Sequence, residues 1–176
     1  MKEILNGIID MHVHNGPSTA LRKYNTAEFC IEADKAGYKA FITKDHYFPS
    51  VMTAMQTNTI LEGKVKTKAY GSLILNNSVG GITLKAVDVA CAMDVKYLSL
   101  PTLSSGNHIE FYKGRQFPGA SQTMTVDETP IWTDIESYPR NRALLRLKHN
   151  GPFVFASWIC APVFFHNNVF GSCPGI

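Results

Sequence analysis

Along residues 7–110, two patterns of apolar and polar positions alternate, one typical of β-strands and the other typical of α-helices. Short apolar runs bounded by Gly, Pro or Asn predict β-strands, and longer stretches with apolar residues three and four positions apart predict α-helices. The predicted strands are Gly7–His14, Lys39–Thr43, Lys68–Leu75 and Lys96–Leu100. The predicted helices run from Asn25 to Gly37, from Pro49 to Gly63 and from Thr83 to Met93. Strands that alternate with helices favour parallel pairing through right-handed crossovers, so we predict an α/β fold built as a sheet or a barrel.

The pattern weakens beyond residue 110. We predict a basic helix around Arg140–Lys148, and every Lys, Arg, Asp and Glu lies at or before Lys148. We therefore divide the chain into a folded domain at 1–149 and an uncharged apolar tail at 150–176. The apolar run from Pro152 to Phe165 is shorter than the roughly 18 residues that a membrane-spanning helix needs, so we expect a strand there and no membrane association.

Charge and cysteine usage narrow the possible functions. The net charge of +3 arises from 17 basic and 14 acidic side chains that are interspersed along the chain, which is a poor footprint for nucleic acid. The four cysteines are widely spaced and form no C-x-x-C pair. Together with an N-terminal sequence that lacks the apolar stretch of a signal peptide, this spacing favours a reduced, cytoplasmic setting.

A candidate metal site lies at the end of the first predicted strand. Side chains two positions apart in a strand point to the same side, so Asp10, His12 and His14 share one face. A turn-forming Asn-Gly-Pro sequence follows directly. Two neutral imidazoles that converge in this way can bind a divalent metal ion, and Asp10 can orient one of the rings. The alternative is a pair of surface histidines on an edge strand.

The second predicted strand ends in Lys44-Asp45-His46, directly after an apolar run. His46 is the natural third metal ligand or a substrate contact. Asp45 could bridge metal ions or act as a base, and Lys44 could hold an anionic group of a substrate. Charged residues at strand ends are also often simply solvated.

Two further strand ends carry candidate residues. The loop after the third strand is polar and Gly-rich, and its backbone N–H groups could bind a carboxylate or phosphate, although its glycines could equally serve only the turn. The fourth strand is followed by His108, which could close a metal shell from a loop or could be merely exposed. Ser104 and Ser105 lie near this histidine, but no G-x-S-x-G elbow supports a serine hydrolase. The candidate substrate-binding residues are Asn76, Ser78, Gly80, Gly81 and Thr102.

The combination of these motifs resembles a known superfamily. Asp10-x-His12-x-His14 is similar to the first-strand metal motif of amidohydrolase-superfamily barrels, and the four strand-end segments together resemble an uncharacterised amidohydrolase-like family. Thr43-Lys44-Asp45-His46 is also similar to the T-D-H element of the polymerase and histidinol phosphatase (PHP) superfamily, with one residue inserted. The resemblance implies a TIM-like (β/α) barrel hydrolase that acts on a small-molecule substrate with one or more divalent metal ions.

The resemblance also implies a role for each candidate residue. His12 and His14 would hold the metal ion. His46 and His108 would complete or flank the site, and Asp45 would carry protons. Zinc suits an imidazole-rich site best, while manganese or iron would fit a more oxygen-rich one.

Two departures from the resembled families lead us to expect a partial barrel. The later metal ligands of amidohydrolase barrels are not recognisable, and Asn76 stands where PHP proteins carry a Glu after the third strand. An eight-unit barrel typically needs about 250 residues, so a chain of 176 residues has room for four or five βα units. We expect residues 1–149 to be the N-terminal part of such a barrel in a truncated chain. The competing functions are an amidohydrolase-type hydrolase, a PHP-like phosphoesterase, and a non-catalytic remnant that binds a ligand or forms a homo-oligomer.

Overall fold

The computed structural model describes residues 5–112, 130–131 and 154–156. The strands in this part of the chain are β1 (Ile9–Val13), β2 (Ala40–Thr43), β3 (Lys68–Tyr70), β4 (Ser72–Ile74), β5 (Tyr97–Ser99) and β6 (Val154–Ala156). The helices are α1 (Thr26–Ala36), α2 (Val51–Ile60), α3 (Leu84–Ala92) and α4 (Gly106–Tyr112), with a 3₁₀ turn at Asn77–Val79. Every strand and helix that the sequence predicts up to residue 100 is present with slightly shorter bounds, except that the predicted third strand is divided into β3 and β4.

All the described strand pairs are parallel, which confirms the predicted α/β class. One three-stranded sheet has the order β1-β2-β3, and a second has the order β4-β5-β6. Within the described residues the strands form these two small sheets and not a closed barrel. β6 lies in the apolar run of the tail where the sequence predicts a strand.

The predicted third strand, Lys68–Leu75, is divided at Gly71 because another part of the backbone passes very close to it. A Cβ atom at Gly71 would lie 2.2 Å from Cα and 2.6 Å from the backbone nitrogen of Val51, the first residue of α2. Contacts this short leave no room for any side chain, so only glycine fits. Gly71 therefore lets the start of α2 pack directly on the chain between β3 and β4.

Local sequence determines both ends of α1. The side chain of Asn25 accepts the N–H of Glu28 at 2.8 Å, and the Glu28 carboxylate accepts the N–H of Asn25 at 2.9 Å, which together form a capping box. Gly37 ends the helix in the left-handed conformation, with φ at 92°. The predicted bounds of this helix are therefore confirmed.

Two apolar clusters hold the helices against the sheets. The cluster between α1, α2 and the first sheet contains Val13, Cys30, Ala33, Phe41, Ala54, Leu61 and Ala69. The cluster between α3 and the second sheet contains Val51, Leu73, Leu75, Val87, Ala90, Val95, Leu98 and Leu100. Successive residues of a strand face opposite sides, so Ile42, Ile74 and Tyr97 form a smaller cluster on the other side of the strands.

The structure corrects one prediction on the carboxyl side of β5. The sequence predicts a loop at His108, whereas His108 lies in α4 and is only 8% exposed. Ser105 Oγ accepts the N–H of His108 at 3.3 Å, a contact typical of a helix start. The predicted basic helix at Arg140–Lys148 lies outside the described residues. None of the described helices is long and apolar enough to cross a membrane.

Candidate functional site

The candidate site is centred on His12 and His14 at the carboxyl end of β1. The pairing of β1 with β2 shifts register between Asp10 and Val13, so the simple alternation of faces is interrupted there. The two imidazoles still converge, with their Nε2 atoms 2.9 Å apart and their ring centroids 4.9 Å apart. Asp10 accepts the backbone N–H of His12 at 2.9 Å. The two rings therefore meet, as their spacing in the sequence predicts.

A backbone contact determines which nitrogen of His14 carries the proton. Nδ1 of His14 lies 2.8 Å from the carbonyl oxygen of Lys44, and because a carbonyl can only accept, Nδ1–H is the donor. In the neutral ring, Nε2 then carries the lone pair that faces His12. Metal-binding histidines commonly bond their second nitrogen to a backbone carbonyl in this way, which orients the ring.

The histidine pair could supply two protein ligands of a divalent metal ion. The Nε2 atoms of His12 and His14 are 2.9 Å apart, and in the neutral pair the Nε2–H of His12 donates to the Nε2 lone pair of His14. Two nitrogens bound to one tetrahedral zinc ion at roughly 2.0–2.1 Å lie about 3.3–3.4 Å apart, so the rings would replace this hydrogen bond by the ion with a separation of about 0.5 Å. A catalytic zinc ion usually has three protein ligands, however. In the part of the chain that the structure describes, no group of three or more His, Cys, Asp or Glu side chains could hold a metal ion.

His46 joins the pair by stacking on His14. The two rings are close to parallel, with centroids 4.8 Å apart and an interplanar angle of 25°. Because nitrogen lone pairs lie in the plane of the ring, stacked rings direct them side by side and not toward one point. His46 Nδ1 is hydrogen-bonded to Thr102 Oγ1 at 2.8 Å. The structure thus brings His46 to the site, with its ring stacked on His14 and its Nδ1 bonded to Thr102, and its role as a third ligand stays a prediction.

Burial favours the neutral form of the three histidines. Burial, and after it the positive charges of His12, Arg22 and Lys44, lower the pKa of His14 to about 4. Burial also lowers the pKa of His46 to about 3, again with neighbouring cationic groups contributing. For His12, burial and then the charge of Lys44 lower the pKa. Because neutral imidazole is the form that binds metal ions, these shifts favour ligation at neutral pH.

Lys44 and Asp45 are both buried, unlike the solvated strand-end charges that formed the alternative. Lys44 is 1% exposed, and its Nζ lies 5.9 Å from the centroid of the Tyr97 ring. Asp45 Oδ1 accepts the backbone N–H groups of Tyr47 at 2.8 Å and Phe48 at 3.3 Å. Asp45 Oδ2 is buried and has no hydrogen-bond partner among the described residues. A buried polar atom of this kind is costly, so it marks Asp45 as a group that could engage a ligand or a proton.

The side chain of Asn76 forms hydrogen bonds with the segments that follow β2 and β5. Its Oδ1 accepts the backbone N–H groups of Thr102 at 2.8 Å and Ser104 at 3.2 Å. Its Nδ2 donates to the carbonyl oxygen of His46 at 2.8 Å and to Thr102 Oγ1 at 3.0 Å. Asn76 and Thr102, which the sequence analysis assigned to substrate binding, thus hold His46 in place through hydrogen bonds within the protein.

The Gly-rich loop directs two of its N–H groups into its own turn. Gly80 and Gly81 adopt φ angles of 89° and 72°. They donate their N–H groups to the carbonyl oxygens of Asn77 and Asn76, each at 2.9 Å. Ser78 is exposed, and its Oγ lies 3.5 Å from the carbonyl oxygen of His46. These contacts match the alternative in which the glycines serve the turn.

The surroundings of His108 and Arg22 could not be predicted from the sequence. The His108 ring packs against Tyr112 within α4, with centroids 4.6 Å apart. No pattern in the sequence marks Arg22, yet its charge lowers the pKa of both His14 and His46. Its Nε is buried and has no hydrogen-bond partner among the described residues. A single Arg in a loop carries no periodic signal, so only the folded structure reveals its place beside the histidines.

Comparison with known proteins gives a family but no activity. Residues 7–145 match the model of a family of unknown function, DUF6282, and the chain belongs to this family. No curated protein and no solved structure matches the chain. The matched region contains every residue of the candidate site.

Proposed function

We propose that this member of the family is a metal-dependent hydrolase of the amidohydrolase type, which cleaves an amide, ester or related bond of a small molecule. The observation that carries the proposal is the convergence of His12 Nε2 and His14 Nε2 at 2.9 Å, at the end of the first of several parallel strands. Catalytic sites of α/β proteins are built at the carboxyl ends of such strands. The bond from His14 Nδ1 to the Lys44 carbonyl supports the proposal because it orients the ring as in known metal sites.

Each residue of the site would have a separate role in hydrolysis. His12 and His14 would hold a divalent ion, most suitably zinc, with manganese or iron as alternatives. Such an ion supplies Lewis acidity and a nucleophile at neutral pH. Asp45 is the candidate proton carrier because two backbone N–H groups anchor its Oδ1, while its buried Oδ2 engages no described residue. Lys44, whose charge acts on His12, would stabilise negative charge that develops on the substrate.

An incomplete (β/α) barrel is the scaffold that we propose for this site. β1, β2, the β3–β4 segment and β5 follow one another in the same order along the chain and across the sheets, and their pairings are parallel. Successive strands of a (β/α) barrel have this arrangement. The order of the strands supports a barrel, although the described residues do not close one.

One observation favours a PHP-like phosphoesterase, and another favours a non-catalytic protein. The positive charges of Arg22 and Lys44 beside the histidines would also suit a PHP-like phosphoesterase. Against it, Asn76 occupies the position of the expected Glu and uses its amide to hold the neighbouring loops. A non-catalytic protein that binds a ligand or a second copy of itself is favoured by the lack of a third metal ligand in the described part of the chain.

Assays on metal-loaded protein separate these three functions. The chain is stripped with a chelator, reloaded with zinc, manganese or iron, and tested on panels of esters, amides and phosphoesters. We expect metal-dependent hydrolysis of an ester or amide that falls by about 100-fold or more in His12→Ala and His14→Ala, because each removes a ligand of the metal ion. His108→Gln is the matched control and should retain activity. Hydrolysis of phosphoesters alone would favour the phosphoesterase, and metal binding with no hydrolysis would favour the non-catalytic protein.

A further inference from the structure

The loop that joins β1 to α1 forms a pocket at the carboxyl end of β1. The pocket has a volume of about 420 Å³ and is lined by residues 16–22 together with Tyr24 and Asn25. Sites for small molecules typically enclose about 300–1,000 Å³. The lining begins at Gly16, two residues after His14, so the chain links this end of the pocket directly to the candidate metal site.

Arg22 gives this pocket its charge. It is the one charged residue among the described residues that line the pocket. Its Nε is buried without a hydrogen-bond partner among the described residues. Neither of the two ion pairs in that part of the chain, Lys35–Glu32 and Lys96–Asp94, involves Arg22. A buried N–H of a guanidinium is costly to leave without an acceptor, so an oxyanion in the pocket would supply what the described residues do not.

Two further features suit an oxyanion at this position. The Ser18 hydroxyl oxygen accepts the N–H of Ala20 at 3.2 Å, which leaves the Ser18 O–H able to donate to a ligand. The charge of Arg22 also acts on His14 and His46, whose pKa values it lowers. A molecule bound to Arg22 would therefore lie next to the histidines.

We propose that Arg22 and the pocket lined by residues 16–22, Tyr24 and Asn25 bind the anionic group, a carboxylate or a phosphate, of a small molecule that extends toward His12 and His14. This inference rests on the proposed function, since it names the class of substrate that the hydrolase would act on. The planar guanidinium presents Nε–H and a neighbouring Nη–H side by side, and this fork matches two oxygens of either anion.

The test is titration of the full, metal-free chain with inorganic phosphate and, separately, with acetate. Binding is followed by calorimetry and by the amide chemical shifts of residues 16–25. Arg22→Gln removes the charge, and Arg22→Lys keeps the charge but loses the fork. Lys23→Gln is the matched control because it removes the same charge from the next residue, whose Nζ lies 5.0 Å from the Tyr24 ring centroid and which does not line the pocket.

We expect at least one of the two anions to bind at the loop. Its dissociation constant should rise about tenfold or more in Arg22→Gln, by less in Arg22→Lys, and by less than about twofold in Lys23→Gln. The anion that binds more tightly identifies the source of the anionic group. Absence of binding by both anions, or equal weakening in Arg22→Gln and Lys23→Gln, would overturn the inference.

The titration is independent of the test of hydrolysis because it uses metal-free protein. Anion binding through Arg22 in a chain that hydrolyses nothing would refute the hydrolase and leave the anion site standing. Metal-dependent hydrolysis without Arg22-dependent binding would refute the anion site and leave the hydrolase standing.

Discussion

Replacement of Asn76 by alanine removes the side chain that joins the ends of three strands. The amide of Asn76 makes four hydrogen bonds, two from Oδ1 and two from Nδ2, and the residue is 2% exposed. A buried hydrogen bond contributes about 0.5–1.5 kcal/mol net, so four of them give an expected loss of about 2–6 kcal/mol in the free energy of unfolding. The loss should lie toward the upper end because Asn76→Ala leaves the N–H groups of Thr102 and Ser104 buried without their acceptor.

Asn58→Ala is the matched control for this prediction. Asn58 makes two comparable bonds, from Nδ2 to the Ala69 carbonyl at 2.7 Å and from the Ala69 N–H to Oδ1 at 2.9 Å, and neither of these bonds is to a histidine. Urea unfolding should show a loss of about 1–3 kcal/mol for Asn58→Ala, roughly half the loss for Asn76→Ala. Nitrogen NMR of the imidazoles should show a change at His46 in Asn76→Ala alone. Equal losses in the two variants, together with an unchanged His46 signal, would refute the positioning role.

Two further predictions concern the pH dependence of stability and the backbone contact at Gly71. The folded chain holds the pKa of His14 at about 4 and of His46 at about 3, against 6.5 for the unfolded chain, so the unfolded state binds more protons as the pH falls below about 6.5. The free energy of unfolding should thus be constant above about pH 6.5 and fall toward pH 4 by at most about 1.4 kcal/mol per pH unit for each histidine. In His14→Gln, urea unfolding at several pH values should show a smaller fall, because one of the two groups is removed. Gly71→Ala should lower the free energy of unfolding by about 3 kcal/mol or more because its methyl would lie 2.2 Å from Val51 Cα. Gly16→Ala is the control and should lower it by less than about 1 kcal/mol, because its methyl would meet nothing nearer than 3.7 Å. Similar losses in the two variants would contradict the proposed clash.

The elements that could be predicted from the sequence are those that local interactions determine. α1 begins and ends where Asn25, Glu28 and Gly37 predict, since a capping box and a left-handed glycine act within a few residues. The division of the third strand at Gly71 could not be predicted, because it depends on Val51, which lies 20 positions earlier in the sequence. Contacts between residues so far apart leave no periodic pattern in the chain.

The candidate site shows the same division between local and distant interactions. The spacing of His12 and His14 predicts that they meet at the end of the first strand, and the structure brings their Nε2 atoms together although a register shift interrupts the alternation of faces there. The bonds that link Asn76 to His46 and Thr102 connect three separate loops, so the sequence indicated polar residues at strand ends but not their partners. Arg22 was missed for the same reason.

Metal stoichiometry of the purified chain shows whether His12 and His14 hold a divalent metal ion. Equilibrium dialysis against zinc, followed by elemental analysis, is performed on the wild type, on His12→Ala and His14→Ala, and on His108→Gln as the control. We expect about one tightly bound ion per chain in the wild type and in His108→Gln, and loss of that ion in both of the other variants. Bound metal that is unchanged in His12→Ala and His14→Ala, or a wild-type chain that binds none, would contradict metal binding by the histidine pair.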